Sequence, residues 1–209
     1  MTPGPILIVK PPGCELPVKL FTFASGNLFG AVSWTDGKQE APMMPDEPWL
    51  RKSPTEGVLF WTDGCEAVGE FDPSEGKPEP PEWASLKFAV KPTEDDLFAA
   101  LASGLADTEE KLRYLRTRLW WLGNDPVRRG QARRPSPAHQ QNMEAILASL
   151  SDTDPAQRLQ KAELLRELAR FGEALPLLDQ AYPDEYARTV ASIRSLTLTR
   201  EARVARFVR

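Results

Sequence analysis

The chain has 209 residues, 41% of them apolar and 27% charged, with a net charge of -4 and a pI near 5.3. This is enough chain to bury one or two hydrophobic cores, and no apolar run approaches the roughly 18 to 20 residues needed to cross a bilayer. The acidic balance argues against a dedicated polyanion binder, and two cysteines, Cys14 and Cys65, cannot build a multi-bridge disulfide framework.

From the start of the chain, Ile6-Leu7-Ile8-Val9 is an apolar run of only four residues with no basic lead-in, so no signal peptide is expected. A cytoplasmic protein with two free thiols follows from that reading. Short period-2 segments rich in aromatic and β-branched residues then predict strands over 18–23, 28–35, 58–62, 66–71 and 85–90. Asp36-Gly37 and Asp63-Gly64 predict two hairpins, because type I′ turns need positive φ at both central residues and these residue types tolerate it.

Charge and proline mark the next boundary. Residues 1–92 hold 8 Lys and Arg against 13 Asp and Glu, with 14 of the 20 prolines, whereas 93–209 hold 18 against 17. The joint falls near 72–82, where Pro73, Pro78, Pro80 and Pro81 remove backbone donors and Gly76 loosens the chain.

Beyond it the spacing turns helical. Thr93 with Asp96, and Asp107 with Glu110, predict capping boxes, and Ser136-Pro137 and Asp154-Pro155 repeat a cap-then-proline start. Apolar stripes follow at spacings of three and four: Leu97 and Leu101; Leu112, Leu115, Leu119 and Leu122; Met143, Ile146, Leu147 and Leu150; Leu164, Leu168 and Phe171; Tyr186, Val190 and Ile193. Five or more helices with short connections imply antiparallel neighbours, hence a bundle or a stack of helical hairpins.

Two resemblances rest on particular strings. Ser25-Gly26-Asn27-Leu28-Phe29-Gly30-Ala31, Trp34-Thr35-Asp36-Gly37-Lys38 and Ala41-Pro42-Met43-Met44-Pro45 resemble a family of uncharacterised bacterial proteins with a zinc-ribbon-like N-terminus. In that family two C-P-x-C knuckles flank these strings. By position the ligand places fall on Pro11, Cys14, Ser53 and Glu56, of which only Cys14 is a good zinc ligand, so the resemblance implies a vestigial ribbon with no bound metal. Leu164-Leu165-Arg166-Glu167-Leu168-Ala169-Arg170-Phe171-Gly172-Glu173-Ala174-Leu175, within 159–181, is similar to the helix-turn-helix of a single tetratricopeptide unit, with small Ala174 at the crossing.

Catalytic patterns are weak. Nothing in the sequence brings Cys14 to His139, the one histidine, which is expected to face solvent in the first turn of a helix; no phosphate-loop string occurs and the acids show no paired spacing. No catalytic residue and no cofactor is therefore expected. Residues 111–134 hold eight Lys and Arg against one acid, Asp125. These arginines either contact phosphates or pair with acids of the chain.

The expected fold is α+β. It comprises a degenerate zinc-ribbon-like β-hairpin domain over 1–72, a Pro-rich linker with a possible extra strand over 73–92, and an α-helical, tetratricopeptide-like domain over 93–209. The expected role is a non-enzymatic protein–protein interaction or adaptor module with an unidentified protein partner and no membrane contact. Its candidate surface is Trp120, Trp121, Arg128, Arg129, Arg133 and Arg134. The alternatives are a nucleic-acid-associated protein using the 111–134 stretch, and an enzyme whose residues this reading does not single out.

Overall fold

The computed structural model describes residues 1–76 and 78–207. It is α+β, with small antiparallel sheets in the N-terminal part followed by six helices among the described residues. Among the described residues no helix is long and apolar enough to cross a membrane.

The chain forms two compact units. One comprises Met1–Ala31 and Glu40–Ala100, the other Val32–Gln39 and Leu101–Arg209. This partition differs from a simple break after the proline-rich joint. Most of the first helix belongs with the β unit, and the short segment Val32–Gln39 belongs with the helices.

In the β unit, β1 (Thr2–Pro3) pairs with β4 (Phe23–Ser25), and β2 (Ile6–Lys10) lies between β3 (Val18–Leu20) and β9 (Glu66–Phe71). The apolar run of β2 is thus a central strand, with Val9, Val18, Leu20 and Phe60 closing one core. β7 (Leu50–Lys52) pairs with β8 (Leu59–Trp61), whereas β5 (Val32–Ser33) pairs with β6 (Gln39–Glu40) in the short segment grouped with the helices. The expected Asp63-Gly64 hairpin does not form. Those residues lie in a 3-10 turn, Thr62–Gly64, and Gly64 lacks the positive φ that a type I′ turn demands. The expected strand over 85–90 reduces to isolated bridges, Phe88 to Lys19 and Val90 to Lys52. Two 3-10 turns, Pro73–Glu75 and Pro81–Trp83, punctuate the proline-rich joint. Trp83 lies on Gly69, where a Cβ would come within 2.6 Å of the indole.

The helices are α1 (Glu94–Ala102), α2 (Glu109–Arg128), α3 (Pro137–Ser149), α4 (Pro155–Glu167), α5 (Phe171–Leu178) and α6 (Ala187–Leu198). The Thr93–Asp96 box forms in both directions, at 2.9 and 3.2 Å. For α2 the cap is Thr108, which accepts from Lys111 N at 3.2 Å, one residue later than the sequence suggested. Ser136 and Asp154 cap α3 and α4 as expected. The stripes of α2 to α6 close one core around Trp120, Met143, Ile146, Leu164, Leu178 and Ile193.

α4 and α5 meet through a tight turn in which Ala169 N donates to Arg166 O at 2.9 Å and Arg170 N to Leu165 O at 2.8 Å. This closure puts Ala169 at φ 61°, a conformation glycine usually supplies. The end of α6 repeats the pattern with Arg200 at φ 56°.

Candidate functional site

The site grows from the second half of α2. This helix continues past Leu122, the last leucine of its stripe, through Gly123 and Pro126 to Arg128. Gly123 is the residue that lets α3 approach, because a Cβ there would lie 2.5 Å from the His139 ring. Pro126 leaves the Leu122 carbonyl without its helical donor. Next to it, the Arg128 guanidinium folds back and donates to the Trp121 carbonyl at 2.8 Å.

Facing these residues is the turn of the β5–β6 hairpin. Trp34 N donates to Lys38 O and Gly37 N to Trp34 O, both at 2.9 Å, with Gly37 alone at positive φ, 80°. The turn is therefore a type I turn with a following left-handed glycine and not type I′. It carries Asp36 inward. The Asp36 carboxylate accepts from Lys38 N at 3.1 Å and Asn124 Nδ2 at 2.9 Å and forms an ion pair with Arg128, while its carbonyl accepts from Trp121 Nε1 at 3.0 Å. Asp125 holds the other side of Arg128 at 2.7 Å and takes Lys38 Nζ at 2.6 Å.

Asn124 links this group to a second buried carboxyl. Glu167 Oε2 accepts from Asn124 Nδ2 at 3.0 Å and from Trp120 Nε1 at 2.7 Å, while Oε1 accepts no hydrogen bond among the described residues and lies 3.9 Å from Arg166 Nη2. Arg166 is fully buried. It grips Glu163 through Nε at 2.8 Å and Nη2 at 2.5 Å, and donates to Thr35 Oγ1 and the carbonyls of Glu201 and Arg203. The C-terminal segment completes the hairpin: Thr35 N donates to Ala205 O, and Phe207 N to Ser33 O, both at 2.9 Å.

Electrostatics follow from this burial. Burial drives the Glu167 carboxyl well above the ordinary range, reinforced by Glu163 and Asp36 and opposed by Arg166. Asp36 is likewise raised by burial, with Arg128 and Asn124 pulling it back. Above the network opens a cleft of about 540 Å³, walled by Trp34, Trp121, Tyr186, Gln160, Asp36 and Glu163 among others.

Residues singled out from sequence divide sharply. Trp120 is 2% exposed and the Arg128 side chain 4%: the indole and guanidinium serve the buried network, and Trp120 also lines the cleft. Trp121 is half-buried on the cleft wall, and Arg129, Arg133 and Arg134 are exposed with no ion pair among the described residues. His139 is buried against Gly123, with Nδ1 2.8 Å from Ser136 Oγ, and does not face solvent. Sequence reading missed Asp36, Asn124, Glu163, Arg166 and Glu167. Glu163, Arg166 and Glu167 stand at i, i+3 and i+4, a spacing that ordinarily marks a solvated helix face.

In the β unit Pro11 with Cys14, and Ser53 with Glu56, form two turns. Cys14 N donates to Pro11 O at 3.2 Å and Glu56 N to Ser53 Oγ at 3.3 Å. The Glu56 carboxylate takes the amides of Glu15 at 3.0 Å and Leu16 at 3.1 Å, tying one turn to the other. Burial and the Glu56 charge raise the Cys14 thiol, against a hydrogen bond from Ser53; burial pushes Cys65 up to about 11. Among the described residues no group of three or more His, Cys, Asp or Glu side chains could hold a metal ion.

Comparison with protein-family models, with curated proteins and with solved structures found no match to this chain.

Proposed function

We propose that this protein is a non-enzymatic interaction module that receives part of a protein partner in the aromatic cleft of its helical unit. The observation that carries the reading is the cleft itself. Its walls are half-buried aromatic rings, and its floor is a hydrogen-bonded ion network that holds those rings in place without a loop to order on binding. The titratable groups beneath it are engaged with one another, which suits a rigid floor better than proton transfer to a substrate.

In this reading the β unit is a metal-free derivative of a zinc ribbon. Glu56 supplies the bonds between the turns that a metal would otherwise provide. The α4–α5 pair is then a lone tetratricopeptide-like hairpin, with fully buried Ala174 at its crossing. Affinity purification from the native host with mass spectrometry tests the role. A stoichiometric partner should be recovered by the wild type and lost with Trp121→Ala together with Tyr186→Ala; recovery unchanged by both substitutions would refute a role for the cleft.

A second reading has its own observation. Arg129, Arg133 and Arg134 are exposed on one short segment without an acidic partner among the described residues, a pattern that suits phosphate contact. Binding of single- or double-stranded nucleic acid that falls steeply with salt and is lost on replacing these three arginines would favour it.

A further inference from the structure

We infer that the protein partner enters the helical cleft as an extended segment carrying an uncharged aromatic side chain, in the place that the chain's own residues 205–207 hold; this rests on the proposed interaction role of the same cleft. The resident segment shows the mode. Thr35 N donates to Ala205 O and Phe207 N to Ser33 O, both at 2.9 Å, so Arg206 stands opposite Trp34 as in an antiparallel strand pair, and Phe207 joins the cleft wall. The hairpin edge thus already pairs with a strand that brings an aromatic residue to the cleft, the pattern of recognition by strand addition. That strand is held unevenly. Up to Val204 it is anchored, because Arg166 donates to the carbonyls of Glu201 and Arg203 and Val204 is buried. Beyond Val204 its described hydrogen bonds are the two above and one from Ala205 N to Thr35 Oγ1 at 3.1 Å, with Arg206 exposed and Phe207 half-buried. A segment with so few buried contacts opens locally well before the rest of the fold.

The lining sets the chemistry. Among the described residues of the cleft there is no lysine, arginine or histidine, and its two carboxylates are sealed. The Asp36 and Glu163 side chains are 0% and 1% exposed, the first engaged by Lys38 N, Asn124 and Arg128 and the second by Arg166. A charged occupant would give up its hydration and meet no free counter-charge there, whereas a neutral ring has no such loss. Trp34, Trp121 and Tyr186 stand with Phe207 on the walls, and rings in edge or offset contact gain more than their buried area alone provides. Aromatic side chains also bring large contact area to an interface while fixing only two torsions. Thr117, Gln160 and Thr189 supply neutral donors and acceptors for the amides that flank the ring. At about 540 Å³ the cleft has room for a ring with backbone on either side of it.

The test uses the full chain, the variant Phe207→Ala, which leaves the anchor at 201–204 in place, and capped five-residue peptides that differ only at the central residue: phenylalanine, tryptophan, leucine, lysine or glutamate. Indole N–H signals of Trp34 and Trp121 report binding. The phenylalanine and tryptophan peptides should shift these signals at concentrations at least roughly fivefold lower than the other three. Phe207→Ala should bind both at least roughly fivefold more tightly than wild type, since no resident ring has to leave. Hydrogen exchange gives a second readout on the unaltered chain: as the phenylalanine peptide saturates, the Phe207 amide should lose protection, while the Thr35 amide, taken over by the peptide, should keep it. An equal response to leucine or lysine and phenylalanine, a Phe207 amide that stays protected in the bound protein, unchanged or weaker binding by Phe207→Ala, or no response to any peptide would overturn the inference. Partner capture that still depends on Trp121 and Tyr186 would leave the interaction role standing in each case, whereas loss of that dependence would remove the role itself.

Discussion

Replacing Glu167 separates the two jobs its carboxyl performs. Glu167→Ala removes the acceptor for Trp120 Nε1 and Asn124 Nδ2, leaving two buried donors with one partner fewer, and opens a cavity beside the fully buried Arg166. Two lost acceptor contacts at about 1–3 kcal/mol each, with the cavity added, give a loss of at least about 3 kcal/mol. Glu167→Gln keeps the shape and one acceptor oxygen, so its stability near pH 5 should lie within about 1 kcal/mol of wild type. The two proteins should part as pH rises. Because burial raises the Glu167 carboxyl well above its unfolded value, folding takes up a proton there. That contribution is fully present below the unfolded carboxyl range near pH ~4.3 and is lost as pH climbs toward the folded value, by up to about 1.4 kcal/mol per pH unit. Glu167→Gln has no proton to lose at this position, so it should become the more stable protein at alkaline pH. Urea titrations from pH 5 to pH 9, followed through the Trp120 indole signal, measure this directly. A glutamine variant as unstable as the alanine variant at pH 5, or a wild-type slope unchanged by the substitution, would show that Glu167 is not held protonated by its burial.

Other outcomes follow from single contacts. Ala169→Gly and Arg200→Gly should each stabilise the protein by about 0.5–1 kcal/mol in urea unfolding, since both positions hold positive φ at a helix end. Gly123→Ala should lower stability by at least about 2 kcal/mol, because the added Cβ meets the His139 ring at 2.5 Å; unfolding of the variant at wild-type urea concentration would disprove the close approach of α3. Ser136→Ala and Asp154→Ala should each cost about 1 kcal/mol through loss of a helix cap, while Ser136→Asp or Asp154→Ser should recover most of it. Both thiols should alkylate slowly near neutral pH, since burial raises Cys14 and holds Cys65 at about 11; labelling by iodoacetamide at the rate of a free cysteine would contradict this.

The sequence by itself determined the α+β division, most of the helices and several of their starts. These features are local: Thr93, Ser136 and Asp154 cap the residues that directly follow them, and leucines at spacings of three and four form a stripe wherever that helix packs. Strand pairing was less legible, because a two-residue turn signal such as Asp63-Gly64 competes with the demand of the apolar strand β2 for a neighbour on each side.

Only the tertiary structure decided the site. Asp36 reads as a turn residue until the hairpin of Val32–Gln39 is set against α2, 88 residues away at Asn124. Glu163, Arg166 and Glu167 have the spacing of a solvated helix face, and only the segments that cover them turn that face into a buried network. A side chain's charge is local, but its burial depends on everything packed around it. Burial is what turned Trp120 and Arg128 from candidate surface into interior and raised the Glu167 carboxyl.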